Sequence, residues 1–202
     1  MLKIVRNIRE LTDKSFLQFC IKYIHPSCKV LEIGPGDGFF AERLIRNFPN
    51  LDYQFVDIKD NRKYQLKRKM WLVDISKEPL KVTGGNIDVV IASQVIEHIR
   101  DVTGFILEIH RLLKDRGMLL LKFPNYSNLF QRIVFFKNGL PHRLQGKIKD
   151  GGHINFLPYK YIENFTQEYF YTQEVRGDCL LYTSDAADEG LGVDLGGRRI
   201  IK

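Results

Sequence analysis

The run VLEIGPGDGFF at residues 30–40 constrains this chain more than any other feature of its 202 residues. Its first half is a short apolar stretch of the kind that forms a buried strand. Gly34, Gly36 and Gly38 then let the backbone turn where side chains would obstruct it. Phe39, Phe40, Leu44, Ile45 and Phe48 follow at helical spacing. Strand, glycine turn and helix in that order imply strands that run parallel, because a helix makes the return path. The alternation continues downstream. YQFVDI (53–58), MWLVDI (70–75), IDVVIAS (87–93), MLLLKF (118–123) and FYTQEV (170–175) read as strands. GFILEIHRLLKDRG (104–117) reads as a helix closed by Gly117 in the C-terminal capping position. Helices are also expected over 5–24, where Ile8, Leu11, Phe16, Phe19, Cys20 and Tyr23 share a stripe, around 127–136, and over 159–169. The polar, basic stretch from Lys137 to Gly152 is too long for a tight connection and reads as a functional loop or lid. The expected fold class is α/β, a mostly parallel sheet with helices on both faces.

The glycine turn carries the first chemical signal. A helix that starts just beyond it offers free N–H groups to a ligand. Dinucleotide-binding turns follow G-x-G-x-x-G, which would need glycine at position 39, and Phe39 stands there. The pattern present is G-x-G-x-G, which disfavours a nicotinamide-dependent oxidoreductase. Glu32, two residues before the first glycine, suits a cationic ligand better than a pyrophosphate.

These residues resemble the first motif of class I S-adenosylmethionine-dependent methyltransferases, and the resemblance extends over about residues 28–178. It implies a Rossmann-like sheet and S-adenosylmethionine as cofactor. Gly34, Gly36 and Gly38 match the glycine turn, with Glu32 before it. Asp57, 19 residues after Gly38, matches the acid that holds the ribose hydroxyls. Asp74 matches the position that contacts the adenine amino group. Ile58 and Ile75 adjoin these acids, and Ser93 ends the fourth-strand motif IDVVIASQVIEHIRD. EIHRLLKDRGMLLLKFPN matches the later helix and fifth strand. Within the family the chain is most similar to small-molecule, quinone-type and methionine-biosynthesis-associated members, the last on FPNYSNLFQRIVFF and HINFL.

Such an enzyme needs no covalent intermediate, only alignment of acceptor, methyl carbon and sulfur in a dry pocket. For a hydroxyl or phenol acceptor a base would help, and His98 and His153 have suitable intrinsic chemistry. Methylation of base or glutamine nitrogens is disfavoured, since Ser93-Gln94-Val95 stands in place of the Asn/Asp-Pro-Pro-aromatic turn. An E-x-x-E-H segment is associated with a divalent cation in quinone O-methyltransferases. Here Gln94 replaces its first acid, and no metal is expected. The expected reaction is methyl transfer to a small-molecule oxygen, an anionic acceptor included. The competing reading is a methyltransferase-like subunit that holds cofactor or partner without turnover of its own.

Hydrophobic residues make up 44% and charged residues 27%, and no run approaches the roughly 20 apolar residues that span a bilayer. The N-terminus has no apolar signal region, so a cytoplasmic address is expected. The net charge of +7 raises the question of an anionic partner. Residues 59–69 hold six basic residues against one acidic and read as a solvated loop, with contact to an anionic ligand as the alternative; nucleic acid is not expected as a partner. Cys20, Cys28 and Cys179 have no metal-ligand or disulfide pattern.

Composition changes near residue 179. The stretch CLLYTSDAADEGLGVDLGGRRIIK has no sustained helical or alternating pattern, and it resembles a translated sequencing-library adapter. The expectation is a methyltransferase domain over residues 1–178, incomplete at its C-terminus, followed by a non-native tail over 179–202. The final antiparallel strand of the family's sheet is then expected to be missing.

Overall fold

A computed structural model describes residues 13–64, 66–126, 129–139, 153–176 and 197–201. A helix over 13–21 (α1) is followed by β1 (Lys29–Ile33), α2 (Phe39–Asn47), β2 (Asp52–Asp57), β3 (Met70–Leu72) and β4 (Ile87–Ser93). A single 3₁₀ turn covers Ile96–His98. Then come α3 (Val102–Leu112), β5 (Leu113–Lys122), α4 (Leu129–Asn138), α5 (Tyr159–Thr166), β6 (Val175–Arg176) and β7 (Gly197–Ile201).

The strands form one sheet in the order β3-β2-β1-β4-β5-β7-β6. All pairings from β3 to β5 are parallel, and β7 runs antiparallel to both β5 and β6. This is the α/β architecture the alternating elements imply. Chain order reverses between β1 and β4, so the loops leaving those two strands diverge and leave a crevice at the C-terminal ends.

The sheet is buried on both faces, which explains why its strands are almost continuously apolar. Along β4, Val89 and Ile91 face one core with Phe16, Phe19 and Cys20 of α1, Ala41 and Leu44 of α2, and Phe55. Val90 and Ala92 face the other, with Phe105, Ile106, Ile109 and Leu112 of α3 and Ile162 of α5. Burial of each large apolar side chain contributes about 1.5–3 kcal/mol. Asp101 begins α3 by accepting a hydrogen bond from the Gly104 N–H at 2.9 Å, an N-cap worth about 1 kcal/mol.

Three differences from expectation stand out, besides β3 ending at Leu72 instead of Ile75. Helix α3 stops at Leu112, and Gly117 lies within β5. The β4–β5 register jumps from Ile87↔Leu113 to Val89↔Met118, so residues 114–117 bulge out of the ladder, with Arg116 at φ +62°. A Cβ at Gly117 would lie 2.8 Å from the Lys114 carbonyl oxygen, so the glycine serves this tight bulge instead of a helix end. The strand expected at 170–175 is confined to Val175–Arg176.

The third difference concerns the last strand. Its slot is filled: Met118, Leu119 and Leu120 pair with Ile201, Ile200 and Arg199, and Val175 and Arg176 pair with Arg198 and Gly197. The slot expected to be empty is thus occupied by residues 197–201, which belong to the stretch read as a non-native tail. The physical reason is that the edge of β5 presents unpaired backbone groups, and an extended run ending in two isoleucines can satisfy them. Residues 140–152 of the expected lid, and Cys179 with the Gly-rich run through residue 196, lie outside the described residues.

Candidate functional site

The glycine turn leaves β1 beside the point where strand order reverses. Gly34, Gly36 and Gly38 have φ of +68°, +57° and +81°, the left-handed region that other residues enter at a cost. The Gly34 N–H donates to the Val56 carbonyl at 2.8 Å, which ties the turn to the end of β2 and so to Asp57. Nothing lies within 4 Å of where a Cβ on Gly36 would stand, so the turn is open on that side. Gly38 caps α2 without a side chain, and the Asp37 carboxylate accepts from the Phe39 N–H at 3.3 Å.

Glu32 is buried, accepts a hydrogen bond from the Tyr53 hydroxyl at 2.9 Å, and has its pKa pushed up to about 8 by burial. Asp57 is half-buried, accepts from the Ile58 N–H at 2.7 Å, and is raised above the usual carboxylate range, chiefly by burial. Ile58 is exposed beside it. Asp74 holds a turn of its own, accepting from the Ser76 N–H and hydroxyl and pairing with Lys77 at 2.7 Å. Burial raises its pKa, but the bonds from Lys77 and Ser76 outweigh this and hold it low. Ile75 is packed in the core. Ser93 is the last residue of β4, opposite Lys122 of β5.

The basic loop is partly occupied by its own chain. Arg62 pairs with Asp60 and lies over the Phe55 ring, Arg68 donates to the Pro49 carbonyl, and Lys69 lies 3.7 Å from the Trp71 ring centre. The Lys63 N–H donates to the Asp37 carbonyl at 2.9 Å, so this loop lines the glycine turn.

A second group gathers beyond β4. Gln94 takes a positive φ of +57°, an unusual conformation for a non-glycine residue that turns the chain sharply out of the sheet. The turn at Ile96–His98 follows, with Glu97 buried and His98 exposed. The Ile154 and Asn155 N–H groups both donate to the Glu97 carbonyl, at 2.9 and 3.0 Å, and the Asn155 amide donates to the carbonyls of Ile96 and Ile99. These bonds staple residues 153–155 onto the turn and bring His153 to His98, with ring centres 4.9 Å apart and edge to face. His153 Nε2 lies 3.9 Å from a Glu97 carboxylate oxygen, and the hydroxyl of buried Tyr126 meets Nδ1. Sequence reasoning named both histidines but neither their junction nor Tyr126. The only signal for Tyr126 is its place in FPNYSN, just after β5. Among the described residues, Glu97, His98 and His153 offer ligand atoms within 4.8 Å of one another, so the expectation of no metal meets a donor set that fits one.

A parallel sheet in this order, with an open glycine turn beyond β1 and an acid at the end of β2, defines the fold class of S-adenosylmethionine-dependent methyltransferases. The chain belongs to the methyltransferase-domain family, which it matches over residues 5–170, and S-adenosylmethionine is the cofactor of that class. It is 29% identical over 114 residues to a probable S-adenosylmethionine-dependent methyltransferase of Mycobacterium tuberculosis, covering 54% of this chain and 41% of that protein. It is 28% identical over 132 residues to malonyl-[acyl-carrier protein] O-methyltransferase 2 of Ilyobacter polytropus, covering 61% and 49%. The match thus spans less than half the length of these curated relatives. Among solved structures, a SAM-dependent methyltransferase from Archaeoglobus fulgidus shares the fold with a TM-score of 0.69 at 17% identity, covering 96% of this chain and 94% of that one. Haemonchus contortus phosphoethanolamine N-methyltransferase 2, in complex with S-adenosyl-L-methionine, does so with a TM-score of 0.59 at 16% identity, covering 81% and 38%. No helix among the described residues is long and apolar enough to cross a membrane.

Proposed function

We propose that this chain transfers the methyl group of S-adenosylmethionine to an oxygen of a small-molecule acceptor. The observation that carries this reading is the pair His98 and His153, in edge-to-face contact beyond the end of β4. The glycine turn after β1 and this pair flank the same crevice, so one side suits the cofactor and the other the acceptor. When bound, S-adenosylmethionine supplies an electrophilic methyl carbon on a sulfonium centre. The open side of Gly36 admits the ligand against backbone, and Asp57 is the hydrogen-bond acceptor for its ribose hydroxyls. Asp74, Ile58, Ile75 and Ser93 line or support the same end of the sheet. A neutral imidazole of His98 or His153 accepts the acceptor's hydroxyl proton as the oxygen is methylated. Tyr126 and Glu97 hold His153 in place for that role. The O-methyltransferase among the curated relatives accords with an oxygen acceptor.

The test is incubation of the purified chain with methyl-labelled S-adenosylmethionine and a panel of alcohols, phenols and carboxylic acids, malonyl thioesters among them. Label in an O-methyl product is expected. His98→Ala or His153→Ala should lower kcat by about 10²- to 10⁴-fold while cofactor affinity stays unchanged. Label on nitrogen overturns the oxygen reading. Cofactor retained with no label transferred to any acceptor supports a binding subunit instead.

A further inference from the structure

We propose that Glu97, His98 and His153 form a binding site for one transition-metal ion of the zinc, cobalt or manganese type, placed where the acceptor enters. The proposal rests on the donor set and goes beyond the methyltransferase reading. Two imidazoles and one carboxylate come together from sequence positions 97, 98 and 153, with ligand atoms within 4.8 Å. Around a tetrahedral ion with bonds of about 2.0–2.1 Å, ligand atoms stand about 3.3 Å apart. Side-chain rotations that bring the atoms about 1.5 Å closer therefore complete the site, and the Glu97–His153 separation of 3.9 Å is already near that value.

The surroundings are those of a ligand set. The Tyr126 hydroxyl engages His153 Nδ1 and directs Nε2 toward Glu97, the arrangement by which an outer hydrogen bond fixes the metal-binding nitrogen of a histidine. The backbone bonds from residues 154 and 155 to the Glu97 carbonyl hold the segments together without using its carboxylate. Glu97 is wholly buried and His98 exposed, so the site runs from a buried carboxyl group out to the surface. Three protein ligands leave a position for water or an acceptor oxygen. With the ion bound both imidazoles are ligands, so the ion would lower the acceptor hydroxyl's pKa in place of the histidine base of the metal-free chain. The two imidazoles decide the metal class. Imidazole donors suit zinc, cobalt and related ions, whereas magnesium and calcium prefer oxygen ligands throughout.

The experiment uses the untagged chain, stripped with a chelator and titrated with Co²⁺ while its visible d–d absorption is followed. One equivalent should bind and give the strong bands of four- or five-coordinate cobalt, Zn²⁺ should displace it, and millimolar Mg²⁺ should not. His153→Ala, His98→Ala and Glu97→Gln should each weaken binding at least 100-fold, and Tyr126→Phe by about 10- to 100-fold, the range for outer-shell partners. His98 is exposed, so His98→Ala should keep the parent's melting temperature and serves as the variant whose fold is secure. Absence of cobalt bands, binding unchanged in His98→Ala, or displacement by Mg²⁺ overturns the proposal. S-adenosylmethionine affinity is measured on the same samples. Cofactor binding without cobalt sinks the metal site alone, and cobalt binding without cofactor sinks the methyltransferase reading alone.

Discussion

Gly34 and Val95 meet across the crevice so closely that a Cβ on Gly34 would fall 2.6 Å from Val95 Cγ2. The contact joins the turn after β1 to the loop after β4, the two segments that leave the sheet where chain order reverses. A side chain at position 34 would therefore push the two halves of the site apart. It would also hold a non-glycine residue at φ +68°.

Gly34→Ala is expected to lower the melting temperature and to weaken S-adenosylmethionine binding by more than 10-fold. Adding Val95→Ala removes the clash but leaves the backbone strain of about 1 kcal/mol, so the double variant should recover only part of the loss. Melting curves and calorimetry on both proteins check this. Wild-type affinity in Gly34→Ala alone would show that the turn does not carry the ligand.

Asp57→Ala should weaken S-adenosylmethionine binding by about 1.5–3 kcal/mol, the range for hydrogen bonds to a charged group. Calorimetry measures it directly. Unchanged affinity, or tighter binding of NAD than of S-adenosylmethionine, would remove Asp57 from the ribose site.

Glu32 gives a pH prediction. Burial raises its pKa from 4.5 to about 8, so between those values the folded chain holds a proton that the unfolded chain has released. Stability then falls as pH rises through that window, because the native state binds the extra proton. Glu32→Gln keeps an acceptor for Tyr53 and cannot ionise. Its stability relative to wild type should rise steadily from pH 5 to pH 9 in urea melts. A pH-independent difference would mean that Glu32 is ionised in the folded chain.

We propose that residues 179–202 supply no functional group, although Gly197–Ile201 closes the sheet between β5 and β6. Truncation after Asp178 should leave S-adenosylmethionine affinity unchanged, because the glycine turn, Asp57 and both histidines precede the cut. It should lower the melting temperature and promote self-association through the bared edge of β5, visible in light scattering. A truncated protein that melts like the parent and stays monomeric would show that β7 adds nothing to the fold.

The amino-acid sequence by itself determined the features that depend on neighbours along the chain. Apolar runs of strand length, helical stripes and the G-x-G-x-G spacing are local, so β1, α2, β2 and β4 appear within a residue of where the pattern puts them. The same locality led to an error at Gly117, where a glycine after a helical stripe signals a cap and the register of β4 against β5 demands a bulge instead. Tertiary structure alone decided which distant residues meet. Val95 against Gly34, Tyr126 and His153 against Glu97, and Gly197–Ile201 against β5 all join segments that no periodicity links. Such contacts form because parallel strands bring their C-terminal ends to one edge and buried backbone groups must find partners there. The glycine turn is therefore legible in the sequence as a turn, while the Glu97–His98–His153 cluster depends on the hydrogen bonds from residues 154 and 155 to the turn after β4.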